Sequence, residues 1–149
     1  MYSKAFGATG IELPVLGQGT WDVPESGARL HEWREALRRG IALGMTHVDT
    51  AEMYGNGRVE ELLGEALAPL DRATLFLASK VLPSNASYAG TIAACERSLH
   101  RLRTEYLDLF LLHWPSSHPL EETMRALETL VEQGKARFIG VSNFDYDEL

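Results

Sequence analysis

Five short apolar runs recur along the chain at nearly constant spacing, and that spacing limits the folds open to it. They begin at Val15 (VLGQGTW), Thr46 (THVDTA), Leu75 (LFLASKV), Leu107 (LDLFLLHW) and Ala136 (ARFIGVSN), so successive starts differ by 31, 29, 32 and 29 residues. A period of about 30 residues is that of one strand–helix–strand unit. The segments between the runs carry helical stripes. Leu30, Trp33, Leu37 and Ile41 form the first, and Val59, Leu62, Leu63, Ala66 and Leu67 the second. Ile92, Cys95, Leu99 and Leu102 form the third, and Leu120, Met124, Leu127 and Val131 the fourth. Cys95 and Met124 fall on these stripes and read as core packing rather than as ligands. Strands alternating with helices predict an α/β fold with a parallel sheet and right-handed crossovers. Ahead of the first unit, KAFGATGIELP reads as two short strands around the turn Gly7-Ala8-Thr9-Gly10. With no Pro- or Ser-rich linker, residues 1–149 read as one domain, a hairpin at 1–14 followed by five units at 15–149. A doubly wound sheet and a (β/α) barrel both satisfy this pattern.

Composition removes several functional classes. Of 149 residues 45% are hydrophobic, enough for one domain with a core. The net charge is -7 and no long basic run occurs, which argues against nucleic-acid or anionic-membrane partners. The richest apolar run, YLDLFLLHWP, is broken by Asp108 and His113 and is too short to span a bilayer. The N-terminal stretch lacks the apolar core of a signal peptide, and one cysteine excludes an intramolecular disulfide framework. These features lead us to expect a soluble, cytoplasmic protein, in which the sequon Asn85-Ala86-Ser87 is a chance match.

The polar residues are placed less evenly. Each run ends in a polar or aromatic group: Thr20-Trp21, Asp49, Lys80, His113 and Ser142-Asn143. A lone Lys closing a strand is usually a snorkelling surface residue, and a lone His after an apolar run is usually a satisfied core group. Five such endings on successive strands point instead to one convergent site, because the C-terminal strand ends of a (β/α) barrel share a face. Other sites find less support. GNGRVE, from Gly55, lacks the third glycine of a dinucleotide fingerprint and follows Tyr54 rather than a bare strand end. No Walker sequence and no Tyr-x-x-x-Lys pair occurs. The five histidines show no zinc spacing, so no metal site is expected.

VDTAEMYG, LASKV, LLHWP and IGVSNF, in this order and spacing, resemble the aldo-keto reductase family, closest to its compact bacterial branch. The resemblance implies a (β/α)8 TIM barrel closed at its bottom by an N-terminal hairpin, here an incomplete one of about five units. It also implies NADPH-dependent reduction of aldehydes and ketones. The family's tetrad falls on Asp49, Tyr54, Lys80 and His113. Tyr54 would donate its phenolic proton to the carbonyl oxygen, and Lys80, held by Asp49, would place a positive charge beside the phenol. At about 4 Å and an effective dielectric near 20 that attraction is roughly 4 kcal/mol before desolvation. His113 would orient the carbonyl. Ser142 and Asn143 match the side chains that grip the nicotinamide carboxamide, Gly19 and Thr20 the loop against the cofactor, and Asp49 also neighbours its ribose. Trp21 and Trp114 would wall the substrate pocket.

The family barrel has eight strands, so the remaining three, with the groups that hold the nicotinamide ring and the adenosine phosphate, are expected to be missing. The expected NADPH site is therefore weak or incomplete, and a non-catalytic binding or assembly module derived from a reductase is the alternative reading. Small aldehydes such as methylglyoxal are the substrates the family suggests. Open strand edges, together with an inner face drawn from Val48, Leu77, Leu109, Leu111 and Ile139, lead us to expect a homodimer.

Overall fold

The structure, a computed structural model, describes residues 1–148. Strands β1 (Ser3–Ala5) and β2 (Glu12–Pro14) form an antiparallel hairpin. Five further strands form one parallel sheet: β3 (Gln18–Gly19), β4 (His47–Asp49), β5 (Phe76–Val81), β6 (Leu107–Leu112) and β7 (Ala136–Val141), in that spatial order. Between them run α1 (Gly27–Ala42), α2 (Arg58–Leu67), α3 (Tyr88–Leu102) and α4 (Leu120–Glu132). The four helices match the four stripes.

Strand order decides between the two architectures the repeat left open. A doubly wound sheet must reverse its order at one point, placing helices on both faces. Here the order never reverses, so right-handed crossovers put every helix on the same side. This is an incomplete (β/α)8 barrel. Leu63, Leu77, Cys95, Leu99, Phe110 and Leu127 belong to one buried cluster between the sheet and its helices. Cys95 is core packing as expected, and burial pushes its thiol up to about 12. Met124 packs against the same cluster.

The opposite face of the sheet carries Lys80 and leads up to His113. Side chains alternate along a strand, so Phe76 and Ala78 share a face with Lys80, and Leu109 and Leu111 share one with His113. Near the start of the strands, Phe6 from the hairpin stands edge-on to Phe76 and Phe138, with ring centroids 5.4 and 5.5 Å apart. The hairpin thus floors this face, as the resemblance implied.

Two expectations need correction. Leu109 and Leu111 belong to the inner face, but Val48, Leu77 and Ile139 pack into the helix-side cluster instead. Around Leu77 and Ile139 the strands are apolar on both sides and give no alternation from which to read a face, whereas Val48 stands between His47 and Asp49, whose side chains take the opposite face. The first apolar run also contains only a two-residue strand, and its Val15 and Leu16 are exposed. After β7 comes a short 3-10 turn at Tyr146–Glu148; Leu149 lies outside the described residues.

Helices α2 and α3 meet at a backbone contact that leaves no room for a side chain. A Cβ on Gly64 would stand 2.4 Å from the carbonyl oxygen of Arg101. Gly64→Ala should therefore destabilise the protein by about 1–3 kcal/mol through overpacking, outweighing the roughly 1 kcal/mol that alanine gains over glycine in a helix. Urea unfolding reads this directly, and a more stable variant would mean that the two helices are free to separate.

Candidate functional site

The ladder of the parallel sheet carries the polar residues to one end. Gly19 pairs with Asp49, and Asp49 with Ala78. Hydrogen bonds then continue just past the strand ends: Thr50 N donates to Ala78 O (2.9 Å), Glu52 N to Lys80 O (3.2 Å), His113 N to Val81 O (3.1 Å) and Ser142 N to Leu112 O (2.8 Å). Each strand therefore hands its last polar side chain to the same rim.

At the centre is Lys80, almost fully buried. Its Nζ donates to both carboxylate oxygens of Asp49 at 2.7 Å and to the carbonyl of Thr50 at 2.9 Å. An ammonium has three protons, and all three are engaged. Its charge also lies 5.4 Å from the centre of the Tyr54 ring, within the range of a cation–π interaction. Tyr54 is buried and opens a tight turn, Tyr54–Gly57. Gly55, Asn56 and Gly57 are all left-handed, with φ of 55°, 51° and 90°. The glycines of GNGRVE serve that turn and the launch of α2.

The four residues of the expected tetrad come together. The His113 ring lies 5.9 Å from that of Tyr54. His113 is 4% exposed, and its Nδ1 has no hydrogen-bond partner. Desolvation, reinforced by the Lys80 charge, lowers its pKa to about 4, so the imidazole is neutral at physiological pH. The two tryptophans flank the pair. Trp21 stands edge-on to Tyr54 at 5.0 Å and is 65% exposed, and Trp114 stacks on His113 at 3.7 Å.

The remaining expected residues sit on the same rim, with some of their polar atoms already engaged. The Thr20 hydroxyl is buried and donates to Asp49 O at 2.9 Å, fixing the top of β3 against β4. Asn143, left-handed at φ 59°, donates to His113 O at 2.9 Å and to the Ser142 hydroxyl at 3.2 Å. Gly19 is exposed, with open space where a Cβ would stand. Among the described residues no cluster of His, Cys, Asp and Glu could hold a metal ion, and no helix is long and apolar enough to cross a membrane.

Three buried acids had escaped attention as candidates. Glu60 accepts from Ser79 Oγ (2.6 Å) and Arg101 Nε (2.7 Å). Asp108 accepts from Leu77 N, Arg72 and Arg137. Glu52 accepts from Leu82 N and Asn85 Nδ2. In sequence Glu52 and Glu60 look like solvated charges; only Asp108, interrupting an apolar run, carried a signal.

The family model described as the aldo/keto reductase family matches residues 15–149. Methylglyoxal reductase YeaE of Escherichia coli is 52% identical over 139 residues, covering 93% of this chain and 49% of that protein. The crystal structure of the thermostable aldo-keto reductase Tm1743, bound to the inhibitor epalrestat, superposes with a TM-score of 0.93 at 45% identity. It covers 100% of this chain and 56% of that one. An aldo-keto reductase from Klebsiella pneumoniae in complex with NADPH gives a TM-score of 0.87 at 47% identity, over 92% of this chain and 48% of that one. The chain thus spans about half the length of the relatives it matches.

The burial of His113 makes a pH prediction. The folded chain protonates it only near pH 4, whereas an unfolded imidazole does so near 6.5, so acidification through this window favours the unfolded state. The stability held by neutral His113 is fully present above pH 6.5 and falls away toward pH 4. In NMR titration the His113 ring resonances should stay constant from pH 8 to well below 6; a midpoint near 6.5 would contradict its burial.

Proposed function

Because this chain belongs to the aldo-keto reductase family, we propose that it reduces small aldehyde or ketone carbonyls to alcohols with Tyr54 as the proton donor and NADPH as the reductant. The observation that carries this reading is the saturated Lys80 ammonium. It is held by Asp49 and Thr50 with its charge beside the Tyr54 ring, and neutral His113 is next to that ring.

The chemistry follows from these groups. NADPH, when bound, supplies the hydride. Tyr54 gives its phenolic proton to the carbonyl oxygen, and the Lys80 charge stabilises the phenolate left behind. His113, being neutral, keeps one ring N–H with which to donate to the same oxygen and fix its direction. Trp21 and Trp114 supply apolar walls that keep water from the carbonyl. The rim suits a nicotinamide group: Gly19 leaves open space on one side, and Ser142 and Asn143 stand at the top of β7 on the other. Asp49, whose carboxylate is part-exposed, would meet a ribose hydroxyl. Methylglyoxal is the first substrate to try, since YeaE is 52% identical over the shared region.

Tyr54→Phe should lower carbonyl reduction by about 100-fold or more while leaving the fold intact, because one hydroxyl is lost from a side chain whose ring contacts remain. Unchanged activity would refute the mechanism. Asp49→Asn should also slow the reaction, by releasing Lys80. NADPH fluorescence titration of the 149-residue chain should show weak binding with little preference over NADH, because among the described residues no Lys or Arg besides Lys80 stands at the C-terminal strand ends. No binding at all would favour the non-catalytic module.

For this chain by itself we further propose a homodimer. Among the described residues, β3 and β7 have no strand on their outer edges, and Leu109 and Leu111 of the inner face are only half-buried. Light scattering at micromolar concentration should give twice 16.6 kDa; a monomer with cooperative unfolding would exclude the dimer.

A further inference from the structure

Between Asp49 and Tyr54 lies a carboxylate to which the reaction above gives no role. Glu52 is 6% exposed. Its Oε1 accepts from the backbone N–H of Leu82 at 2.7 Å and from Asn85 Nδ2 at 2.9 Å. Its backbone N–H in turn donates to the carbonyl of Lys80 at 3.2 Å. Its nearest cation, Arg97 of α3, is 3.5 Å away and half-exposed.

A buried carboxylate costs several kcal/mol unless it is well paired, and an apolar residue of similar size is often no worse for stability. Arg97 is a poor partner at that distance. The short bonds go instead to two neutral donors on the segment that leaves β5. With the Glu52 N–H to Lys80 contact they make a two-point clamp between the segments after β4 and β5. Tyr54 lies two residues past Glu52, and its own N–H is tied back to Ala51 O at 3.1 Å. Lys80 lies two residues before Leu82. The clamp therefore sets how the Tyr54 ring stands relative to the Lys80 ammonium.

We propose that Glu52 is a positioning residue that holds Tyr54 against Lys80 by accepting from Leu82 N–H and Asn85 at one oxygen. The inference rests on the reading of Tyr54 and Lys80 as the reacting pair. Both donors meet Oε1, so the bonds need an oxygen and not a charge. Glutamine offers its carbonyl oxygen at the same place, and the half-exposed Arg97 can turn into water.

The test compares Glu52→Ala, Glu52→Gln and Asn85→Ala. Glu52→Ala should lower kcat for methylglyoxal reduction about tenfold or more, with KM for aldehyde and NADPH nearly unchanged. Asn85→Ala should give a smaller loss of the same kind, and Glu52→Gln should recover most of the rate. A purely structural anchor would lower the unfolding midpoint but leave kcat unchanged well below it, and that result overturns the proposal. Should Glu52→Ala fail to fold, Asn85→Ala carries the test, and an unaltered kcat there overturns the proposal equally. A second readout needs no turnover: the NMR cross-peak between the Lys80 Cε protons and the Tyr54 ring. It should persist in Glu52→Gln, weaken in Asn85→Ala and vanish in Glu52→Ala, and its undiminished persistence in every variant overturns the clamp. If the unaltered chain reduces no carbonyl, the functional reading fails, while this cross-peak still decides for or against the clamp.

Discussion

A buried ammonium must find acceptors for all its protons, and the three that Lys80 finds set the layout of the upper rim. Two are the oxygens of Asp49 at the end of β4, and the third is the carbonyl of Thr50 just beyond it. Meeting them requires β4 and β5 in their observed register, with Asp49 opposite Ala78 and Lys80 one step higher on the same face. With its donors used, the amine can act on Tyr54 only through its charge, across 5.4 Å to the ring. The same charge adds to burial in keeping His113 neutral. One ion pair thus links the register of the sheet to the protonation state of the site.

Behind the rim, buried acids tie the strands to one another and to the helices. Buried ion pairs often contribute no more than apolar packing would, yet breaking one leaves an uncompensated charge and costs about 3–5 kcal/mol. Glu60 joins α2 to Ser79 on β5 and to Arg101 on α3. Asp108 on β6 joins the backbone of β5 to Arg72 and Arg137. These acids each have several specific partners in neighbouring elements, so they resist slippage of a parallel sheet whose apolar contacts alone would tolerate it. Ser79 and Lys80 are adjacent on opposite faces of one strand, so the bond from Glu60 also steadies the strand that carries the buried ammonium.

The legible parts of the fold were those with a period. The 30-residue repeat located five strands and four helices, and the glycines at residues 7 and 10 located the hairpin turn. Individual boundaries fared worse: Val15 and Leu16 are apolar yet exposed, because β3 is an edge strand only two residues long. Faces were harder still. Leu77 and Ile139 lie in runs that are apolar on both faces, whereas Val48, between His47 and Asp49, did carry an alternation that places it on the helix side. Counting by twos from Lys80 would have placed Leu77 on the helix side. Asp49, Tyr54, Lys80 and His113, which the structure brings together, were singled out through motif order. Glu52 and Glu60 were not, because a carboxylate in a turn or on a helix looks the same in sequence whether water or a buried donor meets it.

The sequence by itself determined the parallel α/β architecture, the family, and which polar residues close each strand, because hydrophobic periodicity and residue type are local properties. Tertiary structure alone decided the order of the strands, and with it the side on which all the helices lie. It alone also added the Thr50 carbonyl to the acceptors of Lys80, left the Nδ1 of His113 without a partner, and turned Glu52 inward. Each of these joins residues about 30 or more positions apart or depends on what excludes water from them, and neither distance nor dielectric is written in the identity of a residue.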